Sequence, residues 1–262
     1  VAANVPGAAG YQHLYTIDLP VKGDFNTNAA AYYSVNNYAA DMGAFRRVAY
    51  YFELQQGGDP AQFIWTAMDA FTTDARKLGI PVNGTFFQQA VDNLDVFSNV
   101  GGIANGDGLA TGNIEMWPSN YGTGNTLNIP NANGATFDFG DGGGSSTGGG
   151  HGCMQVHNYG ASQTLFAVNH FNGLNTVELG IGNRSSGNPD WTFANNAASY
   201  DTRRLYVFVL PGGDTSTADQ TKPTLSRAVG STSLRSVTVT FSEAMADLSA
   251  NPANFSIPGL EV

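Results

Sequence analysis

The chain has 262 residues and a mass of 27.5 kDa, room for one large β domain or for a domain with a smaller appendage. Only 12% of the residues are charged, against 33 glycines, which argues against a coiled coil, a helix bundle or a charge-rich disordered chain, while 42% hydrophobic and 11% aromatic residues are ample for a packed core. A net charge of −10, with 11 Lys and Arg in all and no basic run, argues against nucleic acid as a partner.

Short strand-like runs follow one another along the chain, each closed by turn residues. They cover residues 13–19, 31–35, 45–54, 62–68, 84–89, 94–97, 113–117, 136–139, 154–157, 164–170, 176–181 and 204–210. Gln-Gln-Gly-Gly-Asp-Pro at 55–60 is turn chemistry that pairs the third run with the fourth. One short helix is expected at 70–78, ended by Gly79 and Pro81. A dozen strands at this spacing predict an all-β, antiparallel, two-sheet sandwich of jelly-roll-like type over residues 1–210. The glycine-rich stretch 139–152 reads as a surface loop, since it lacks the Gly-Lys-Ser/Thr ending of a phosphate-cradling loop.

A polar linker is expected at 211–223. Beyond it, Val237-Thr-Val-Thr-Phe-Ser-Glu-Ala-Met245 and Asn254-Phe-Ser-Ile257 resemble the strand-and-turn pattern of a bacterial Ig-like domain of surface-layer type. Residues 224–262 are too few to close a seven-strand sandwich, so an incomplete Ig-like domain and a longer parent protein are expected. No apolar run approaches the length of a membrane-spanning helix, so no membrane insertion is expected. The opening Val-Ala-Ala-Asn reads like the start left by leader cleavage, and a single cysteine, Cys153, allows no internal disulfide. With low lysine and Asn/Gly/Thr-rich loops, these features point to a secreted or cell-surface protein.

Residues 151–157, His-Gly-Cys-Met-Gln-Val-His, alternate in character. As a strand they send Met154 and Val156 to the core and gather His151, Cys153, Gln155 and His157 on the other face. That face could hold zinc or copper, present a polar row to a ligand, or be plain sheet surface. Cys153 and His157 stand about 13 Å apart along a strand, too far for thiolate activation without a partner such as His170. Asp92 with Asp95, Asp138 with Asp141, and Asp69 with Asp74 could supply a glycosidase's two carboxylates, although 21 acids make such spacings common. Asn105-Gly-Asp-Gly108 resembles part of a calcium loop, with Asp107 and Glu115 as oxygen ligands of a structural Ca2+ ion; an Asx turn is the plainer alternative.

Aromatic and amide residues form the most suggestive pattern. Trp117-Pro-Ser-Asn-Tyr121, Trp191-Thr-Phe193 and Tyr159 stand among Asn120, Asn158, Asn169, Asn183 and Asn188, while Trp65 within 63–68 reads as core. Flat rings stack on the C–H face of a sugar, and amides pair with vicinal hydroxyls. Thr66–Pro81 as a segment, Gly112-Asn-Ile-Glu-Met-Trp-Pro-Ser-Asn-Tyr-Gly122, Met154-Gln-Val-His-Asn158, Gln163-Thr-Leu-Phe-Ala-Val-Asn169, Leu179-Gly-Ile-Gly-Asn183 and Pro189-Asp-Trp-Thr-Phe193 are similar to a β-sandwich module of large secreted bacterial multidomain proteins, many of them classed as sialate O-acetylesterase-like. The resemblance spans residues 11–210 and concerns the non-catalytic part of those proteins. It implies export, neighbouring domains and a glycan-rich setting.

The expectation is therefore a secreted, non-catalytic carbohydrate-binding module whose partner is a polysaccharide or glycan. Trp117 and Tyr121 would stack on it, and Asn120, Gln155, His157 and Asn169 would bond its hydroxyls. Two alternatives stand beside it: a structural subunit of a surface layer, fibre or adhesin that pairs with neighbouring copies of itself, and a polysaccharide lyase or hydrolase.

Overall fold

The computed structural model describes residues 4–23, 29–37, 43–80, 87–110, 112–117, 151–171, 176–182, 196–212, 225–230 and 237–241. The chain divides into two compact units, Val1–Thr215 and Ser216–Val262. In the first unit, strands β1 (Gln12–Asp18), β2 (Tyr33–Asn36), β3 (Phe45–Gln55), β4 (Gln62–Asp69), β6 (Leu94–Ser98), β7 (Gly106–Leu109) and β12 (Thr202–Pro211) build a seven-stranded sheet in the order β2-β1-β12-β3-β4-β6-β7. Strands β5 (Phe87–Val91), β8 (Gly112–Trp117), β9 (His151–Asn158), β10 (Gln163–Phe171) and β11 (Thr176–Ile181) build a five-stranded sheet in the order β11-β10-β9-β8-β5. Every pairing within the two sheets is antiparallel. The all-β sandwich expected from the sequence is the observed architecture. In the second unit, β13 (Leu225–Gly230) pairs antiparallel with β14 (Val237–Phe241). The run expected at 136–139, the Ig-like segment at 254–257, most of the glycine-rich loop and the 213–223 part of the linker lie outside the described residues.

Period-two alternation makes the sandwich. In β3, Val48, Tyr50, Phe52 and Leu54 face inward, and in β4 Ile64 and Met68 do the same. From the other sheet come Ile114, Met116, Met154, Val156, Phe166, Val168, Val177 and Leu179. Phe166 meets Phe52 with ring centroids 5.5 Å apart and Tyr50 at 6.0 Å, so one ring joins the two sheets at the centre of the core. The Tyr50 hydroxyl escapes burial without a partner by donating to the Leu78 carbonyl at 2.9 Å.

Two expectations change on the fold. The helix foreseen at 70–78 shrinks to a 3-10 turn, Ala75–Lys77. The Ala70 N–H is spent on the Arg46 carbonyl at 2.9 Å, Thr72 Oγ1 accepts the Asp74 N–H at 3.1 Å, and the chain bends at Phe71 and Thr73 before Asp74 caps the Arg76 N–H. The 105–108 segment, which resembles part of a calcium loop or an Asx turn in sequence, is largely a strand, β7, which pairs with β6 through Val96 opposite Gly106 and Leu94 opposite Leu109.

Primary amides act as surrogate peptide groups at several strand ends. Asn105 accepts the Ser98 N–H at 2.9 Å and donates to the Ser98 carbonyl at 3.1 Å. Asn99 does the same for the Phe63 N–H and the Ala61 carbonyl, each at 2.8 Å. Asn196 clasps both the N–H and the carbonyl of Leu179 at 2.9 Å, on edge strand β11. Gln163 accepts the Ala104 N–H at 2.9 Å and donates to the Gly102 carbonyl, tying β10 of one sheet to the β6–β7 connection of the other. An amide side chain offers one donor and one acceptor with the spacing of a peptide, which is why it can end a ladder without leaving orphan groups.

Candidate functional site

The face of the five-stranded sheet turned away from the core is polar, and it is enclosed. Asn113, Glu115, Gln155, His157 and Thr164 are 0% exposed, and Asn169 and Glu178 are 2% exposed. Register sets them in rows: Asn113 opposite His157 and His157 opposite Thr164, Glu115 opposite Gln155, and Asn169 opposite Glu178. The Asn113 amide donates to Glu115 Oε1 at 2.7 Å and to the Tyr159 hydroxyl at 3.2 Å, leaving its Oδ1 against His157 Nδ1 at 2.6 Å. The reverse orientation would set amide oxygen against carboxylate oxygen, so Nδ1 carries the imidazole hydrogen. Burial pulls the His157 pKa from its usual 6.5 down to about 3, so the ring is neutral at physiological pH. Gln155 Nε2 reaches Asn169 Oδ1 at a long 3.4 Å. Gln155 Oε1 and Asn169 Nδ2 have no hydrogen-bond partner among the described residues, a cost to the fold at that pair.

The outward face of the seven-stranded sheet carries rings where polar side chains are the norm. Tyr206 of β12, Tyr51 of β3, Trp65 of β4 and Phe97 of β6 lie in one cross-strand row. Phe208, Phe63 and Tyr11 extend it, with Tyr11 edge-on to Trp65 at 5.1 Å and Tyr51 stacked on Phe63 at 5.3 Å. The N-terminal segment lies across this face, where Val5 and Ala8 pack on Ala49, Tyr51, Trp65 and Ala67. The strap covers only part of it. A cavity of about 520 Å³ remains, lined by Val5, Pro6 and Gly7 on the strap side and by Trp65, Val96 and Phe97 on the sheet side. Asp95, Asn105, Gly106 and Asp107 form its polar rim.

The rim is tied down. Asp95 Oδ2 takes Arg47 Nη2 at 2.5 Å, and its Oδ1 accepts the Gly108 N–H at 2.9 Å. The same guanidinium bonds Asp69 Oδ1 at 3.1 Å, the Asn93 carbonyl at 2.8 Å and the Tyr11 hydroxyl at 3.0 Å, stitching β3, β4, β6 and the N-terminal segment together. Asn105 is fixed by its double bond to Ser98. Asp107 is exposed in β7 and forms no ion pair among the described residues.

The residues singled out from sequence therefore separate. Gln155, His157 and Asn169 come together on one sheet face as foreseen, but inside the molecule rather than on a solvent-facing groove. The reason is that a sheet's second face can be covered by chain far away in sequence, which alternation alone does not report. Trp117 ends β8 with its backbone opposite Cys153, while Asn120, Tyr121 and Trp191 lie outside the described residues. Asp107 and Glu115, expected as joint calcium ligands, fall on different sheets, one exposed and one enclosed. Among the described residues no three His, Cys, Asp or Glu side chains gather in a metal-holding group. Trp65 is 2% exposed, as a core reading requires, yet it belongs to the outer aromatic cluster and borders the cavity. The cavity escaped the sequence reading, although one signal was present: alternation turns Tyr51 of β3, Phe63 and Trp65 of β4, Phe97 of β6, and Tyr206 and Phe208 of β12 outward. No family model, no curated protein and no solved structure matches the chain.

Proposed function

We propose that the chain is a secreted, non-catalytic carbohydrate-binding module that docks a sugar in the cavity beside Trp65 and Phe97. The observation that carries this reading is the pairing of aromatic rings with a polar rim in a space of sugar dimensions, about 520 Å³. The C–H face of a pyranose would lie on the Phe97 ring, which is half-buried and held against Phe63 at 6.1 Å. Hydroxyls at the ring's edge would meet Asp107 and the rim's backbone groups. A non-catalytic role is supported by the state of Asp95: with one oxygen on Arg47 and the other on a backbone N–H, it is not poised as the partner acid of a glycosidase pair. The surface's lack of basic runs and the export expected from the sequence fit the same role.

Affinity electrophoresis of the whole chain against a panel of neutral polysaccharides tests this. At least one should retard it, and Phe97→Ala should weaken that binding about tenfold, roughly 1.4 kcal/mol, with the far-UV spectrum unchanged. Trp117→Ala should leave it intact. Retardation lost with Trp117→Ala and kept with Phe97→Ala would move the ligand to the other sheet; no retardation on any polysaccharide would end the carbohydrate reading.

A further inference from the structure

Resting on that carbohydrate reading, we infer that the cavity selects a sugar bearing a protonated amine, a 2-amino-2-deoxy sugar, with Asp107 as its ion-pair acceptor and Phe97 as its platform. Among the described residues, the ten that line the space include two carboxylates and no Lys, Arg or His. Asp95 is neutralised only in part, because Arg47 is shared with Asp69: one cation against two anions leaves the cluster behind the rim at −1. Asp107 adds a second negative charge, unopposed in the described structure and open to solvent. Ring faces contribute in the same direction, since the negative face of an aromatic ring attracts a cation and polarised C–H bonds and repels an anion.

Charge over the whole chain agrees in sign. At −10 it draws amines and repels acidic glycans at long range. Local carboxylates, ring quadrupoles and net charge therefore rank ligands alike: amine-bearing above neutral, neutral above carboxylate-bearing. Asp107 is exposed, so the discrimination it provides is modest and salt-sensitive.

Titration calorimetry on the full chain reads this directly, with three probes: a glucosamine tetrasaccharide, its fully N-acetylated counterpart and a galacturonate tetrasaccharide. The glucosamine probe should bind best and the galacturonate worst. Asp107→Asn should cost the glucosamine probe about three- to fivefold in affinity and leave the N-acetylated probe unchanged. The preference should vanish as pH rises through the pKa of the sugar amine. Equal binding of the amine and N-acetyl probes, or a glucosamine affinity untouched by Asp107→Asn, would overturn the amine inference while sugar binding itself stood. Failure of all three probes, together with a blank polysaccharide panel, would overturn both.

Discussion

His157 shows how one residue can be placed correctly by sequence and still be misread. Alternation puts it opposite Met154 and Val156 in β9, and it is there, but it is sealed in a network ordered by the Glu115 carboxylate through the Asn113 amide. The enclosure has a pH signature. In the unfolded chain the imidazole takes a proton near its usual 6.5, whereas the folded chain resists until about 3. Stability from the neutral ring is thus fully present above about pH 6.5 and is lost as pH falls toward 3, at about 1.4 kcal/mol per pH unit. Urea midpoints measured across that window should slope downward for the native protein and flatten for His157→Gln. A slope unchanged by the substitution would assign the acid sensitivity to other groups.

At the scale of elements, strands with strong β-formers are legible and those held by side-chain amides are not. β3, β4 and β12 announce themselves through Val, Tyr, Phe and Leu in alternation. β7, with Gly106-Asp-Gly108, has no such residues; it forms because Asn105 and Asp95 supply bonds that the sequence does not advertise. The same chemistry bears on self-assembly. Asn196 occupies both backbone groups of Leu179 on edge strand β11, the place where a neighbouring chain would otherwise pair. Asn196→Ala should lower stability by about 1–2 kcal/mol and produce concentration-dependent association in light scattering. A variant that stays monomeric at high concentration would show that this edge is guarded by something else. Asn99, Asn105 and Asn196, none of them among the amides expected to bind sugar, are a means by which strands end.

The whole molecule was readable in class but not in coverage. Two sheets with one shared core follow from the alternation of apolar residues, and every described member of that core lies between Leu14 and Val209. Residues 1–215 alone should therefore unfold in one cooperative transition, with a midpoint within a few degrees of the intact chain's; a melt that broadens or loses its midpoint on truncation would show that the sandwich depends on the second unit. Coverage is a different matter. That one sheet would hide polar side chains behind it while the other left rings beside a cavity depends on which distant segments fall across each face, and no local pattern records that.

The strap across the outer rings has a practical corollary. Val5, Pro6 and Gly7 form a wall of the cavity, and the Asn4 side chain bonds the Tyr51 hydroxyl. Whatever is fused ahead of residue 4, be it a purification tag, a carrier protein or an anchor to a sensor chip, enters the fold beside the cavity mouth. Immobilised by that end, the module would turn its cavity toward the support.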